Sequence, residues 1–132
     1  LWPGAARFLN NAYKSPSPLI IKGQSTFFYS CEGVTQGDPM SMLFYALASL
    51  PLIESLRQAH PDTCQTWFAD DSAGLGELQE LREWMMEGLT VKGPPCGYMP
   101  EPSKPILLVR EEDKEEAKEI FEGTGVSIVT HC

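Results

Sequence analysis

No two of the four cysteines, Cys31, Cys64, Cys96 and Cys132, stand as a C-x-x-C pair, so neither a zinc knuckle nor a disulfide framework is expected. They read as free thiols of a reducing, intracellular compartment, cytoplasm or nucleus. His131 adjoins Cys132, but His60 is remote and completes no ligand spacing, which sets a zinc site aside. No apolar run approaches the roughly 18 residues that span a bilayer, so no membrane partner is expected. The chain opens at Leu1 and shows no basic start followed by an apolar core; no signal peptide is read, and the sequence is expected to be an excerpt. Bases are scarce, 10 Lys and Arg against 18 Asp and Glu for a net charge of -8, which argues against a freestanding nucleic-acid binder. Acids are missing from one region: none precedes Glu32, whereas Arg7, Lys14 and Lys22 all do.

What is present is a globular composition. With 132 residues, 42% hydrophobic and 21% charged, the chain is one domain or part of one; about 150 residues bury roughly 70% of their unfolded surface. The acidity is concentrated in residues 111–122, where 7 acids face 2 lysines along a solvated helix. No internal repeat or low-complexity tract occurs.

Pro3 to Tyr13 places Ala6, Leu9, Ala12 and Tyr13 at helical spacing, and Ser15-Pro16-Ser17-Pro18 ends that helix. Leu19–Ile21 and Thr26–Tyr29 flank Lys22-Gly23-Gln24-Ser25, a hairpin signal. Asp38-Pro39 is a helix start, since the carboxylate accepts from free amides and proline fits the first position. From Met40 to Ile53 the helix is apolar nearly all round, which predicts burial of Met42, Leu43, Leu47 and Leu50. Pro51 is expected to kink it. A strand, a turn and a strand follow, then an amphipathic helix over Glu77–Leu89 and an irregular passage from Gly93 to Pro102. Ile106–Val109 reads as a buried strand, Glu111–Glu122 as a charged helix and Val126–Val129 as a last strand. The order implies an α+β layer, helices on one face of a mostly antiparallel sheet.

The centre of the pattern is Thr66-Trp67-Phe68-Ala69-Asp70-Asp71-Ser72, where strand formers run into two adjacent carboxylates. Neighbouring carboxylates repel, so both stay ionised only with solvent, hydrogen-bond donors or metal around them. Aspartate is equally an ordinary turn residue. Both readings stand on the pair alone.

Three stretches occur in order: Gln36-Gly37-Asp38-Pro39-Met40-Ser41, then Phe68-Ala69-Asp70-Asp71, then Gly97-Tyr98 leading to Lys104. Together they resemble the palm subdomain of retrotransposon reverse transcriptases, over nearly the whole chain. The resemblance implies a ferredoxin-like palm of a right-hand polymerase, here without its first strand, most of the fingers and the thumb. Residues 1–31 would be the helix and hairpin at the fingers border, 32–58 the loop and buried helix, 63–76 the acid hairpin, and 77–132 the helix, lysine loop and closing strands.

The activity implied is RNA-directed DNA synthesis: a primer 3′-hydroxyl attacks a deoxynucleoside triphosphate on an RNA or DNA template, with two Mg²⁺ or Mn²⁺ ions about 3.5–4 Å apart. By position, Asp70 would be a direct metal ligand and Asp71 a supporting one. Phe68 stands where the family mostly has tyrosine, beside the primer terminus. Gln36 and Gly37 match the loop against the template and nascent base pair, and Lys104 a lysine that protonates the leaving pyrophosphate. The family's first aspartate motif has no counterpart before Pro3, nor does its primer-grip hairpin follow Val129. The expectation is a fragment or decayed copy, inactive alone and prone to associate through open strand edges. The alternative is a non-catalytic remnant whose acidic helix faces a basic partner; passive nucleic-acid binding through Arg7, Lys14 and Lys22 comes third.

Overall fold

The computed structural model describes residues 3–31, 33–34, 37–101 and 103–130. Among these residues four α-helices and six short strands make it α+β, and the strands pair two by two in three separate sheets. The chain divides into two units, Leu1–Tyr45 and Ala46–Cys132, and each is taken by itself.

In the first unit, α1 (Pro3–Tyr13) buries Ala5. Phe44 is also buried; Phe8 and Tyr13 of α1 meet its ring at centroid distances of 5.9 and 6.2 Å. Strands β1 (Ser17–Leu19) and β2 (Phe28–Ser30) pair antiparallel, Ser17 opposite Ser30 and Leu19 opposite Phe28. The pairing is set further from the turn than Leu19–Ile21 and Thr26–Tyr29 would give. The reversal is made locally at Ile21–Gln24, where Gly23 takes a left-handed φ of 88°, and Ile20, Ile21 and Phe27 are left exposed beside it.

Helix α2 (Ser41–Ala59) is entered as its sequence predicts. Asp38 Oδ1 accepts from the Met40 amide at 2.8 Å, and the Ser41 amide donates to Asp38 O at 3.0 Å. The helix continues through Pro51, so no break divides it there; the proline only leaves the carbonyl one turn back without its N–H. Burial differs from the sequence expectation. Phe44, Leu52 and Leu56 are buried, but Met42, Leu43 and Leu50 are exposed, because no described element covers that face.

The second unit has its core where Leu52 and Leu56 of α2 meet Trp84 and Leu89, with Trp67, Met85 and Tyr98 packed around them. Strands β3 (Cys64–Phe68) and β4 (Asp71–Leu75) form an antiparallel hairpin from Cys64 opposite Leu75 to Phe68 opposite Asp71. Its faces alternate with the period of two that a half-buried strand requires: Gln65, Trp67, Ser72 and Gly74 turn inward, and Phe68, at 77% exposure, and Leu75 turn out. Gly74 makes room for the Trp84 indole, which would stand 3.0 Å from a Cβ there.

Helix α3 (Leu78–Glu83) continues into a π-helix, Trp84–Lys92. Its wider turn carries Gly88 under Leu56, whose Cδ2 would lie 2.4 Å from a Cβ. His60, buried at the end of α2, places Nδ1 3.1 Å from Glu80 Oε1 of α3. A short 3₁₀ turn, Pro94–Cys96, lies within the passage expected to be irregular. Strands β5 (Ile106–Leu108) and β6 (Ser127–Val129) pair in parallel through α4 (Lys114–Ile120), as a parallel pair needs a helical crossover. The expectation of one mostly antiparallel sheet, with Ile106–Val109 buried in it, is corrected here: Ile106 and Leu108 are exposed, since their outward face meets no helix. Among the described residues no helix is long and apolar enough to cross a membrane.

Candidate functional site

The acid pair sits at the tip of the β3–β4 hairpin. Phe68 and Asp71 close the ladder, leaving Ala69 and Asp70 as a two-residue turn. Ala69 has φ 53° and is the one non-glycine with a left-handed φ among the described residues, a conformation that brings Cβ close to the following carbonyl oxygen and costs about 1–2 kcal/mol. Asp70 and Asp71 are both exposed. Phe68 and Asp71, as a cross-strand pair, project from the same open face. Three of the residues singled out in the sequence are thus brought together: Phe68, Asp70 and Asp71. No group of three or more His, Cys, Asp or Glu side chains forms a ready ligand cluster among the described residues.

The inner side of the turn is fixed by contacts the sequence did not announce. The Ser72 hydroxyl shares a hydrogen bond of 3.0 Å with the Tyr98 hydroxyl. The Tyr98 ring meets Trp67 edge-on at 5.5 Å. Gly97-Tyr98 is visible as a motif, but its only sequence signal is the Gly- and Pro-rich passage around it; nothing pairs Tyr98 with Ser72.

The remaining candidates lie elsewhere. Lys104 is exposed, in a turn closed by its amide on Glu101 O at 3.1 Å, with the Ser103 hydroxyl on Glu101 Oε1 at 3.0 Å. Gly37 belongs to the first unit; its φ of 90° is left-handed and no atom lies within 4 Å of a Cβ built on it, so conformation rather than crowding favours glycine there. Gln36 lies outside the described residues, as do His131 and Cys132. Next to Gly37, Asp38 accepts from the Tyr13 hydroxyl through Oδ2. That bond first, and the Met40 amide second, hold its carboxyl below the usual value of 3.8.

Chemically, the hairpin tip presents two hard carboxylates side by side to solvent, on a turn whose rear is pinned by aromatic and hydroxyl contacts. Comparison of the chain with models of protein families, with curated proteins and with solved structures finds no match.

Proposed function

We propose that these residues form a palm portion of a retrotransposon-type reverse transcriptase, with the β3–β4 hairpin as part of a ferredoxin-like layer. The observation that carries the reading is the turn itself: Asp70 and Asp71, both exposed, at a tip where Ala69 holds a strained φ of 53°. A two-residue hairpin turn demands a positive φ of this kind; filling it with alanine rather than glycine keeps a strain of the sort that collects at ligand-holding sites. The order of parts adds support: a Gly37 loop, a helix capped by Asp38, the acid hairpin, a helix, and the Tyr98 loop ending at Lys104. So does the open hairpin, since among the described residues β3 and β4 pair only with each other, as they would where a central strand of the layer is not among these residues.

The donor set fits Mg²⁺ or Mn²⁺, which take one or two carboxylates and complete an octahedron with water and phosphate oxygens. Asp70 would hold the cation directly and Asp71 would support it. Bound metal supplies a lowered pKa for the primer 3′-hydroxyl and stabilises charge on the transferred phosphoryl group. Phe68 would pack beside the primer terminus, Gln36 and Gly37 would bind along the template, and Lys104 would give a proton to the departing pyrophosphate. The partners are a primed RNA or DNA template and a deoxynucleoside triphosphate. No acid precedes Glu32, so the first aspartate of such a site would come from outside residues 1–132.

Primer extension on a homopolymeric template with Mg²⁺ or Mn²⁺ tests the assignment. Set in place of the corresponding palm residues of an active polymerase of this type, which supplies the first aspartate strand, fingers, primer grip and thumb, the chain should support extension, and Asp70→Ala should abolish it. Extension that survives the substitution removes Asp70 from the mechanism. A second reading, a non-catalytic domain that offers acids to a basic partner, is favoured by the exposure of Glu111, Glu112, Glu115, Glu116, Glu119 and Glu122. Saturable binding of a basic protein without metal dependence would support it instead.

A further inference from the structure

Directly behind the acid turn two hydroxyls meet. Ser72 follows Asp71 along β4, and successive side chains of a strand point to opposite faces; Asp71 is exposed while Ser72 is half-buried. On that inner face the Ser72 and Tyr98 hydroxyls are 3.0 Å apart. Trp67, opposite Ser72 in the ladder, receives the Tyr98 ring edge-on, with planes at 69°. Trp67 is itself oriented by its Nε1, which donates to Gln65 Oε1 at 2.9 Å. Tyr98 therefore touches both strands one residue short of the turn.

Tyr98 is held from behind as well. Its amide donates to Gly93 O at 3.1 Å, and the Gly93 amide donates to Leu89 O at 3.0 Å, at the end of the π-helix. A Cβ on Gly93 would stand 2.3 Å from Leu89 O and 2.8 Å from Tyr98 O, so the close approach of these backbones requires glycine. Gly97, with φ 80°, reverses the chain just before Tyr98. The segment that leads to Lys104 leaves from this anchored point.

The geometry points to Tyr98 as a positioning residue: its hydroxyl, on Ser72, fixes the ends of β3 and β4 and so holds the turn that carries Asp70 and Asp71. The use of this positioning rests on the metal-holding reading above. The contact itself does not.

The experiment compares amide hydrogen exchange in the ¹⁵N-labelled chain and in Tyr98→Phe, Ser72→Ala, the double variant and Ser72→Thr. Tyr98→Phe keeps the ring and removes only the hydroxyl. Exchange at Phe68 and Asp71 should accelerate on the order of three- to tenfold in either single variant, the span of one net hydrogen bond. The double variant should exchange no faster than the singles, and Ser72→Thr should restore the original rate. A Mn²⁺ titration on the same samples should show the half-saturating concentration rising by a similar factor. Unchanged exchange at Phe68 and Asp71 in Tyr98→Phe, a double variant that multiplies the single effects, or acceleration spread evenly to Leu52 and Leu56 would overturn the positioning role. If Mn²⁺ broadens no resonance of the turn in the unaltered chain, the metal reading fails, and the exchange comparison still decides the role of Tyr98.

Discussion

Replacing Ala69 by glycine should make the protein more stable and, on the proposed metal-holding reading, its acid turn a poorer holder of Mn²⁺. Ala69 stands at φ 53°, where an L-residue with a Cβ carries about 1–2 kcal/mol of strain that glycine escapes. Glycine in turn costs about 0.4–1 kcal/mol through the larger entropy of its unfolded chain. The difference leaves roughly 0.5–1 kcal/mol in favour of Ala69→Gly, or a midpoint raised by about 2–8 °C for a unit of this size. Ala69→Val should move the other way, since a β-branched side chain tolerates that φ less well than alanine. Thermal unfolding followed by far-UV circular dichroism, with tryptophan fluorescence as a second probe, measures both shifts. The same glycine variant should bind Mn²⁺ more weakly, because the freed backbone no longer presets the carboxylates. A glycine variant that melts lower than the parent, or a valine variant that melts with it, would refute the strained turn.

Other substitutions probe the packing behind the hairpin. Gly93→Ala should cost about 1–3 kcal/mol or more in urea unfolding, because its Cβ would strike the Leu89 and Tyr98 backbone carbonyls at 2.3 and 2.8 Å. Gly88→Ala should cost less, since it meets the end of the Leu56 side chain rather than backbone; the reverse order would contradict the placement of the π-helix. In the first unit the Asp38 carboxyl lies below its usual value of 3.8, held there by the Tyr13 hydroxyl and then the Met40 amide. A depressed folded pKa contributes stability that is present above the unfolded value and is lost as pH falls through the folded one. The stability gap between the parent and Asp38→Asn should therefore hold above about pH 4 and close at lower pH. A gap independent of pH from 2 to 6 would contradict this.

The parts of the fold legible in the sequence are those with a local cause. The Asp38 cap, the strand, turn and strand around the acid pair and the charged helix after Glu111 each follow from neighbouring residues, and each is found. The acid turn was legible for the same reason: strand formers flank it, and a two-residue connection is the shortest that reverses a strand. What was not legible depends on partners distant in the chain. An apolar stripe predicts burial only where something packs against it, so Met42, Leu43, Leu50 and Ile106 read as core yet stand exposed. Strands of three residues carry too little pattern to say which others they join, and the three separate sheets were not foreseen. A π-helix differs from an α-helix by one residue in hydrogen-bond reach, which apolar spacing over Trp84–Lys92 does not resolve. The Ser72–Tyr98 contact joins residues 26 apart with no motif between them.

The central claim, that the Asp70–Asp71 turn is the metal-holding corner of a polymerase palm, is tested most directly by titrating the ¹⁵N-labelled chain with Mn²⁺ and following paramagnetic broadening residue by residue. The account predicts broadening centred on Ala69, Asp70 and Asp71, competed by excess Mg²⁺ and lost in Asp70→Asn. Broadening that spares the turn, that falls instead along Glu111 to Glu122, or that persists undiminished in Asp70→Asn would contradict it.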